Sequence, residues 1–209
     1  KRMTFFISAR IYREINKRGC DIEVEFVQPI RDPKIIEGIK IYLKMRSLRN
    51  YLFFCLGIYS GLRVSDLLNL RVGMVKGTHV KMKEQKNNNK KKFIIHPSIR
   101  ADLEQYIAGK NDEDFLFPSR QIKTKSRLKG QPFHRSTAYR MLNDAAKHFG
   151  LKEIGTHTMR KTWGYLLYSQ DPRNLALLME MYGHSDPDIT LRYIGVTQDM
   201  MDNAIVRMP

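Results

Sequence analysis

The chain has 209 residues, 42% apolar and 10% aromatic, which gives it material for a real core and excludes a disordered or collagen-like chain. Its 37 Lys and Arg against 21 Asp and Glu leave a formal net charge of +16, an excess that favours a polyanionic partner, either nucleic acid or an acidic membrane surface. Two cysteines, Cys20 and Cys55, provide neither a disulfide framework nor a CxxC metal pair.

Residues 1–30 differ from the rest. Thr4 to Ile15 and Asp21 to Ile30 mix β-favouring residues with charge, and Gly19 breaks them, so this stretch reads as a short hairpin or a loosely held arm. The first residue is Lys1 rather than Met, which reads as a trimmed start or a remnant of added sequence, and no signal-peptide pattern opens the chain. From Asp32 onward helical signals take over. Asp32 can cap, Pro33 suits a first helical position, and Ile35, Ile36, Ile39 and Leu43 recur at helical spacing. A second helix, Leu48 to Ser60, is apolar all round and should be central; Gly61 closes it. Its apolar stretch from Tyr51 to Tyr59 contains Cys55 as a small core residue and is far too short to cross a bilayer.

A short helix is expected over Val64 to Leu70. Thr78 to Lys83 alternates in the strand manner, with Phe93 to His96 returning beside it as a hairpin whose tip, Glu84 to Lys92, is mostly Lys and Asn. Helices are expected at Ser98 to Ala108, Ser136 to Phe149, Thr158 to Gln170, Pro172 to Tyr182, Pro187 to Ile194 and Gln198 to Met208, the last capped by Thr197. The fold class is therefore mainly α with one small antiparallel β-sheet: an extension over 1–30, then one domain over 31–209 with its C-terminal helix at 198–208.

Charge is uneven. No Asp or Glu occurs from Phe115 to Asn143, where Arg120, Lys123, Lys125, Arg127, Lys129, Arg135 and Arg140 recur. A solvated loop usually mixes signs; an unmixed basic loop beside a basic hairpin fits phosphate contacts better. With Lys83 and Lys90 of the hairpin these are the candidate DNA-binding residues. A membrane is disfavoured because no amphipathic cationic helix is present.

Three stretches place cations or a nucleophile where an ordinary surface helix would not. In Ser60-Gly61-Leu62-Arg63-Val64-Ser65-Asp66-Leu67-Leu68, Arg63 aligns with Leu67 and Leu70 on an apolar face, where a guanidinium needs an anion. Either a carboxylate such as Asp66 or a phosphate would serve. In Thr156-His157-Thr158-Met159-Arg160-Lys161-Thr162, Arg160 again heads an apolar face with Trp163 and Leu167, and His157 lies at a helix start that favours an anion. In Tyr182-Gly183-His184-Ser185-Asp186-Pro187, Gly183 suits a helix C-cap and His184 falls on an exposed turn. Tyr193 shares a face with Ile189, as a half-buried core tyrosine would.

Together these stretches resemble the tyrosine recombinase (phage integrase) family, in the order Arg63, His157, Arg160, His184, Tyr193. The likeness runs from about Phe26 to the end, including Phe115-Leu116-Phe117-Pro118-Ser119 and Arg160-Lys161-Thr162-Trp163-Gly164-Tyr165, which look like short integrases of mobile elements in Gram-positive bacteria. Ser60, Asp66 and Lys161 stand where the family often has Thr, Glu and a second His. The resemblance implies the DNA breaking–rejoining catalytic-domain fold and a hairpin lysine, best matched by Lys86, with Lys83 and Lys90 as alternatives. It also implies an N-terminal core-binding domain, for which the stretch before Asp32 is too short; the chain is either a single-domain form or lacks that part.

The activity implied is conservative site-specific recombination of double-stranded DNA, without metal or other cofactor, in the cytoplasm at the nucleoid. Arg63 and Arg160 would clamp the phosphate, and Tyr193 would attack to form a 3′-phosphotyrosine. Lys86 would protonate the leaving oxygen, His157 would move the Tyr193 proton, and His184 would donate to the phosphate. The family further implies a homo-oligomer on DNA, a tetramer. The stripe Met200, Met201, Ala204, Ile205 and Met208 either packs back on its own domain or is exchanged onto a neighbouring protomer. Competing readings are a type IB topoisomerase-like enzyme, a metal-dependent nuclease using Asp112, Glu113 and Asp114 in a polar turn, and a catalytically silent DNA-binding module.

Overall fold

The computed structural model describes residues 27–83, 90–119, 130–152 and 154–208. Helix α1 spans Pro33–Arg46; the Asp32 carboxylate accepts from the Lys34 amide at its start, and Ile36, Ile39 and Leu43 form the buried stripe. Helix α2, Leu48–Ser60, is buried from Tyr51 through Ile58 and forms the axis of the core. Phe53 on α2 meets Phe117 and Phe133 with ring centroids 5.1 and 4.9 Å apart. Truncating a fully buried ring of this kind costs about 3–5 kcal/mol.

Helix α2 ends on Gly61, whose φ of +62° lies in the left-handed region that L side chains avoid. A short helix α3, Val64–Leu68, follows. Strand β1 (His79–Lys83) pairs antiparallel with β2 (Lys90–Ile94), in register from His79 opposite Ile94 to Lys83 opposite Lys90. Then come α4 (Arg100–Ile107), α5 (Arg135–His148), α6 (Thr158–Gln170), α7 (Leu175–Tyr182), α8 (Pro187–Ile194) and α9 (Val196–Val206). Residues Arg71 and Phe115, and Pro118 and Pro132, form isolated antiparallel bridges that fasten the Phe115-to-Ser119 stretch to the body.

Two apolar clusters organise these elements. The large one surrounds α2 and includes Met159; the small one holds Trp163, Leu178, Tyr182, Ile194 and Val196. Helix α6 therefore presents one side to each, and its first turn lies at their seam. Ahead of α1, Ile30 is 3% exposed and its amide donates to the Thr162 hydroxyl at 2.9 Å, so the residues just before Asp32 are fastened to α6.

Several local boundaries differ from those expected. Arg63 is not on a helix face: it precedes α3 as its N-cap in extended conformation. The return strand begins at Lys90 rather than Phe93, because pairing with β1 decides its extent. The last helix begins at Val196, directly after Gly195 at φ +79°, so Thr197 lies inside the helix rather than capping it. Most of residues 1–30 lies outside the described residues, as do residues 84–89 of the expected hairpin tip, whose Lys90 to Lys92 are strand instead.

Candidate active site

Close approach of α6 to α2 builds the site. A Cβ on Gly57 would strike Met159, and one on Gly61 would strike the Trp163 indole, so both glycines make room for α6. That approach lets Arg160, 6% exposed, donate from Nη1 to the Gly61 carbonyl and from Nη2 to the Met181 carbonyl at 3.2 Å. The guanidinium is thus held between the turn that carries Arg63 and the C-terminal end of α7. It also lies 4.6 Å above the Tyr182 ring.

Tyr193, half-buried on α8, faces the same space. The Nδ1 of His157 is 3.4 Å from its hydroxyl oxygen, a long contact of the kind catalytic pairs show before substrate arrives. The His184 ring packs at 5.6 Å from the Tyr193 ring, and its Nδ1 lies 3.0 Å from the Thr190 hydroxyl. His184 is half-buried rather than exposed, because α8 folds its Thr190 back beneath the turn.

The electrostatics follow from this crowding. His157 as a residue is exposed, yet burial of its ring, followed by Arg135, Arg160, Lys161 and Arg63, lowers its pKa from 6.5 to about 4. His184 is lowered too, by burial and then by Arg160 and Arg63. Burial raises the Tyr193 phenol, while Arg160 and Arg63 pull against that rise. At neutral pH the imidazole of His157 is therefore neutral, an acceptor at one ring nitrogen, amid a set of cations. Such a concentration of positive charge around a neutral base and a phenol suits a phosphate diester.

The structure thus brings Arg63, His157, Arg160, His184 and Tyr193 to one site. Lys86 lies outside the described residues, as do Arg120, Lys123, Lys125, Arg127 and Lys129. Lys83 and Lys90 are exposed partners at the described end of the hairpin. Arg135 is beside His157 with Nη2 donating to the Thr156 hydroxyl at 3.1 Å, and Arg140 is exposed on α5. Of the acidic trio, Asp112 pairs with Lys76 and Asp114 accepts from the Asn111 amide at 3.1 Å. Among the described residues no group of three or more His, Cys, Asp or Glu gathers to hold a metal.

Two neighbours of the site, Lys91 and Tyr182, were given no role by the sequence reading, and a third, Lys161, was noted there only as standing where the family often has a second His. Lys91 on β2 places Nζ 3.4 Å from the Met181 carbonyl that also accepts from Arg160. Lys161 holds its ammonium 5.2 Å from the centre of the Tyr193 ring. Tyr182 touches Arg160, His184 and Tyr193 at once. Lys91 sits in a run of three lysines and carries no individual signal. Tyr182, next to the Gly183-His184 pair, carried a positional one.

The sequence model of the phage integrase family matches residues 32–200. The chain belongs to the phage integrase family. Among its relatives is a probable integrase/recombinase YoeC of Bacillus subtilis (strain 168), 40% identical over 177 residues, with 84% of this chain and 93% of that protein covered. A tyrosine recombinase of Pseudothermotoga lettingae is 32% identical over 198 residues, with 87% and 65% covered. The fold of this integrase-family chain is similar to that of the XerH site-specific recombinase solved with palindromic difH substrate in a post-cleavage complex. The TM-score is 0.64 at 16% identity, with 90% of this chain and 55% of that one covered. The chain accordingly spans nearly all of YoeC but under two thirds of the Pseudothermotoga lettingae recombinase and of XerH. Among the described residues no helix is long and apolar enough to cross a membrane.

Proposed function

We propose that this integrase-family domain cuts and rejoins double-stranded DNA at specific sites through a covalent 3′-phosphotyrosine on Tyr193. The observation that carries this reading is the contact of His157 with the Tyr193 hydroxyl beside the doubly anchored Arg160. A neutral His157 takes the phenol proton as the Tyr193 oxygen bonds to phosphorus. The bond from phosphorus to the 5′-oxygen breaks, and Lys86 gives that oxygen a proton. Arg63 and Arg160 hold the non-bridging oxygens, a task suited to planar bidentate donors. When Nδ1 of His184 accepts from the Thr190 hydroxyl 3.0 Å away, the neutral ring carries its proton on Nε2, the tautomer that donates to phosphate.

The exposed cations Lys83, Lys90, Arg135 and Arg140, with Arg120, Lys123, Lys125, Arg127 and Lys129, supply the backbone contacts that fix the duplex in register. Related XerH is solved on its difH substrate, which supports a duplex DNA partner here. The enzyme works as a tetramer on paired sites, in the cytoplasm. Exposed Met200, Ile205, Val206 and Met208 at the C-terminal end support docking of α9 on a neighbouring protomer.

The decisive experiment incubates the protein, with chelator, with a nicked duplex carrying the sequence that flanks its own coding region. A covalent adduct that disappears in Tyr193→Phe establishes the mechanism. Tight binding of that duplex without an adduct overturns it in favour of a binding module.

A further inference from the structure

Tyr182 is the residue around which the site is assembled, yet it occupies none of the expected catalytic positions. It ends α7, is 5% exposed, and its hydroxyl donates to the backbone carbonyl of Arg160 at 2.8 Å. The same ring carries the Arg160 guanidinium over its face at 4.6 Å. Its centroid is 4.9 Å from that of Tyr193 at an interplanar angle of 66°, 5.4 Å from that of His184, and 5.7 Å from that of Trp163 at 81°. One side chain therefore touches the main-chain and side-chain ends of Arg160, the nucleophile and a histidine of the site.

The rest of the fold makes way for it. A Cβ on Gly164 would collide with the Tyr182 hydroxyl, so α6 carries glycine where that oxygen sits. Merely filling this part of the smaller core would not need an oxygen, and an apolar side chain would spare the burial cost of a hydroxyl. The hydroxyl is buried and bonded, which is the pattern of a group fixing geometry rather than volume. Edge-to-face contact then transmits the position of the Tyr182 ring to Tyr193.

We infer that Tyr182 is a positioning residue that sets Arg160 and Tyr193 in mutual register, holding the guanidinium on its face and the nucleophile against its edge. Its own phenol takes no part in transfer, because the hydroxyl is engaged with the Arg160 carbonyl and burial raises its pKa strongly. This role rests on the proposed cleavage chemistry, but the arrangement it predicts can be read without cleavage. Arg160 opposes the burial-driven rise of the Tyr193 phenol, so a displaced Arg160 registers in the Tyr193 titration.

The test compares Tyr182→Leu and Tyr182→Phe with the parent, each checked for a cooperative melt, with Tyr182→Met replacing leucine if that variant does not fold. Ring-labelled tyrosine NMR follows the Tyr193 signal, assigned by its loss in Tyr193→Phe. Adduct formation is then timed on the nicked duplex at saturating protein. In the leucine variant the Tyr193 midpoint moves to higher pH and the adduct rate falls on the order of a hundredfold, with duplex affinity retained. In the phenylalanine variant, which keeps the ring and loses one hydrogen bond, the rate falls about fivefold. An unmoved Tyr193 midpoint in the leucine variant, or equal losses in both variants, overturns the inference and leaves Tyr182 a packing residue. If the parent forms no adduct, the cleavage reading fails on its own, and the Tyr193 titration still decides the role of Tyr182.

Discussion

Arg31 donates from Nη2 to the carbonyl of Gly195 at 3.0 Å, tying the segment before α1 to the turn that immediately follows the Tyr193 helix. Its guanidinium also lies 5.6 Å from the Tyr165 ring, and burial, followed by the charge of Arg31, lowers the pKa of Lys161 beside Tyr193. The stretch preceding Asp32 thereby acts on the far end of the chain. Replacing Arg31 by Met should cost about 1.5–3 kcal/mol of stability in urea unfolding, the scale for hydrogen bonds from a charged donor. It should also slow adduct formation more than it weakens duplex binding, because the Gly195 turn sets where Tyr193 points. Equal stability of parent and variant would show that the contact contributes nothing.

His157 should titrate near pH 4 in the free protein, read from its ring Cε1 signal by NMR. Its folded pKa lies below the ordinary value of 6.5, so the unfolded chain binds more protons between the two. The stability it contributes is complete above pH 6.5 and is lost as pH falls towards 4. In Tyr193→Phe, binding a duplex brings phosphate charge to the site and should raise this midpoint. A midpoint at or above 6.5 in the free protein would contradict the crowding of cations described around the ring.

Gly61→Ala tests the seam between α2 and α6. The substitution puts a side chain at positive φ, about 1–2 kcal/mol, and drives a methyl into Trp163, about 1–3 kcal/mol more by overpacking. Denaturant midpoints should fall accordingly. Arg160 loses the exact place of its Gly61 acceptor too, so cleavage should drop beyond the loss of folded protein. A change under about 1 kcal/mol would mean that the turn relaxes freely.

The two hairpin lysines should separate by chemistry. Lys86→Ala should reduce adduct formation about a hundredfold or more as a lost general acid, and a duplex with sulfur in place of the 5′-bridging oxygen should restore it, since a thiolate leaves unprotonated. Lys91→Met removes only a donor to the Met181 carbonyl, so a loss of about tenfold or less is expected, without rescue by sulfur. Rescue of the Lys91 variant instead would transfer the general-acid role to Lys91.

Ile205→Asp places a charge on an apolar position 65% exposed on α9. Half-site cleavage should persist while assembly on paired sites, followed by native gel shift, falls about tenfold or more, as expected when an interface anchor is lost. Equal assembly by the variant would return α9 to its own domain.

Much of this protein was legible in its sequence because the signals are local. Asp32-Pro33, Asp186-Pro187 and the glycines at 61 and 183 mark helix ends through caps that depend only on neighbouring residues, and the structure ends or starts helices there. Helices over Leu48–Ser60, Thr158–Gln170 and Pro187–Ile194 have the bounds expected from apolar spacing. Arg63, His157, Arg160, His184 and Tyr193 were legible as a set through their order, and the family match agrees with that likeness.

Tertiary structure decided what no local pattern encodes. Arg63 precedes α3 because the Gly61 turn must clear Trp163, and the run Lys90-Lys91-Lys92 is strand because β1 pairs with it. The pKa of His157 depends on Arg63, Arg135, Arg160 and Lys161, whose positions along the chain say nothing of their separation in space. Tyr182, Lys91 and Arg31 act on the site only because α6, α7, β2 and the segment before α1 converge there. The sequence by itself determined which chemical groups the protein possesses and where its helices break, since both follow from residue type and nearest neighbours. Which of those groups share one dielectric pocket, and so acquire one another's charge, was decided by long-range packing alone.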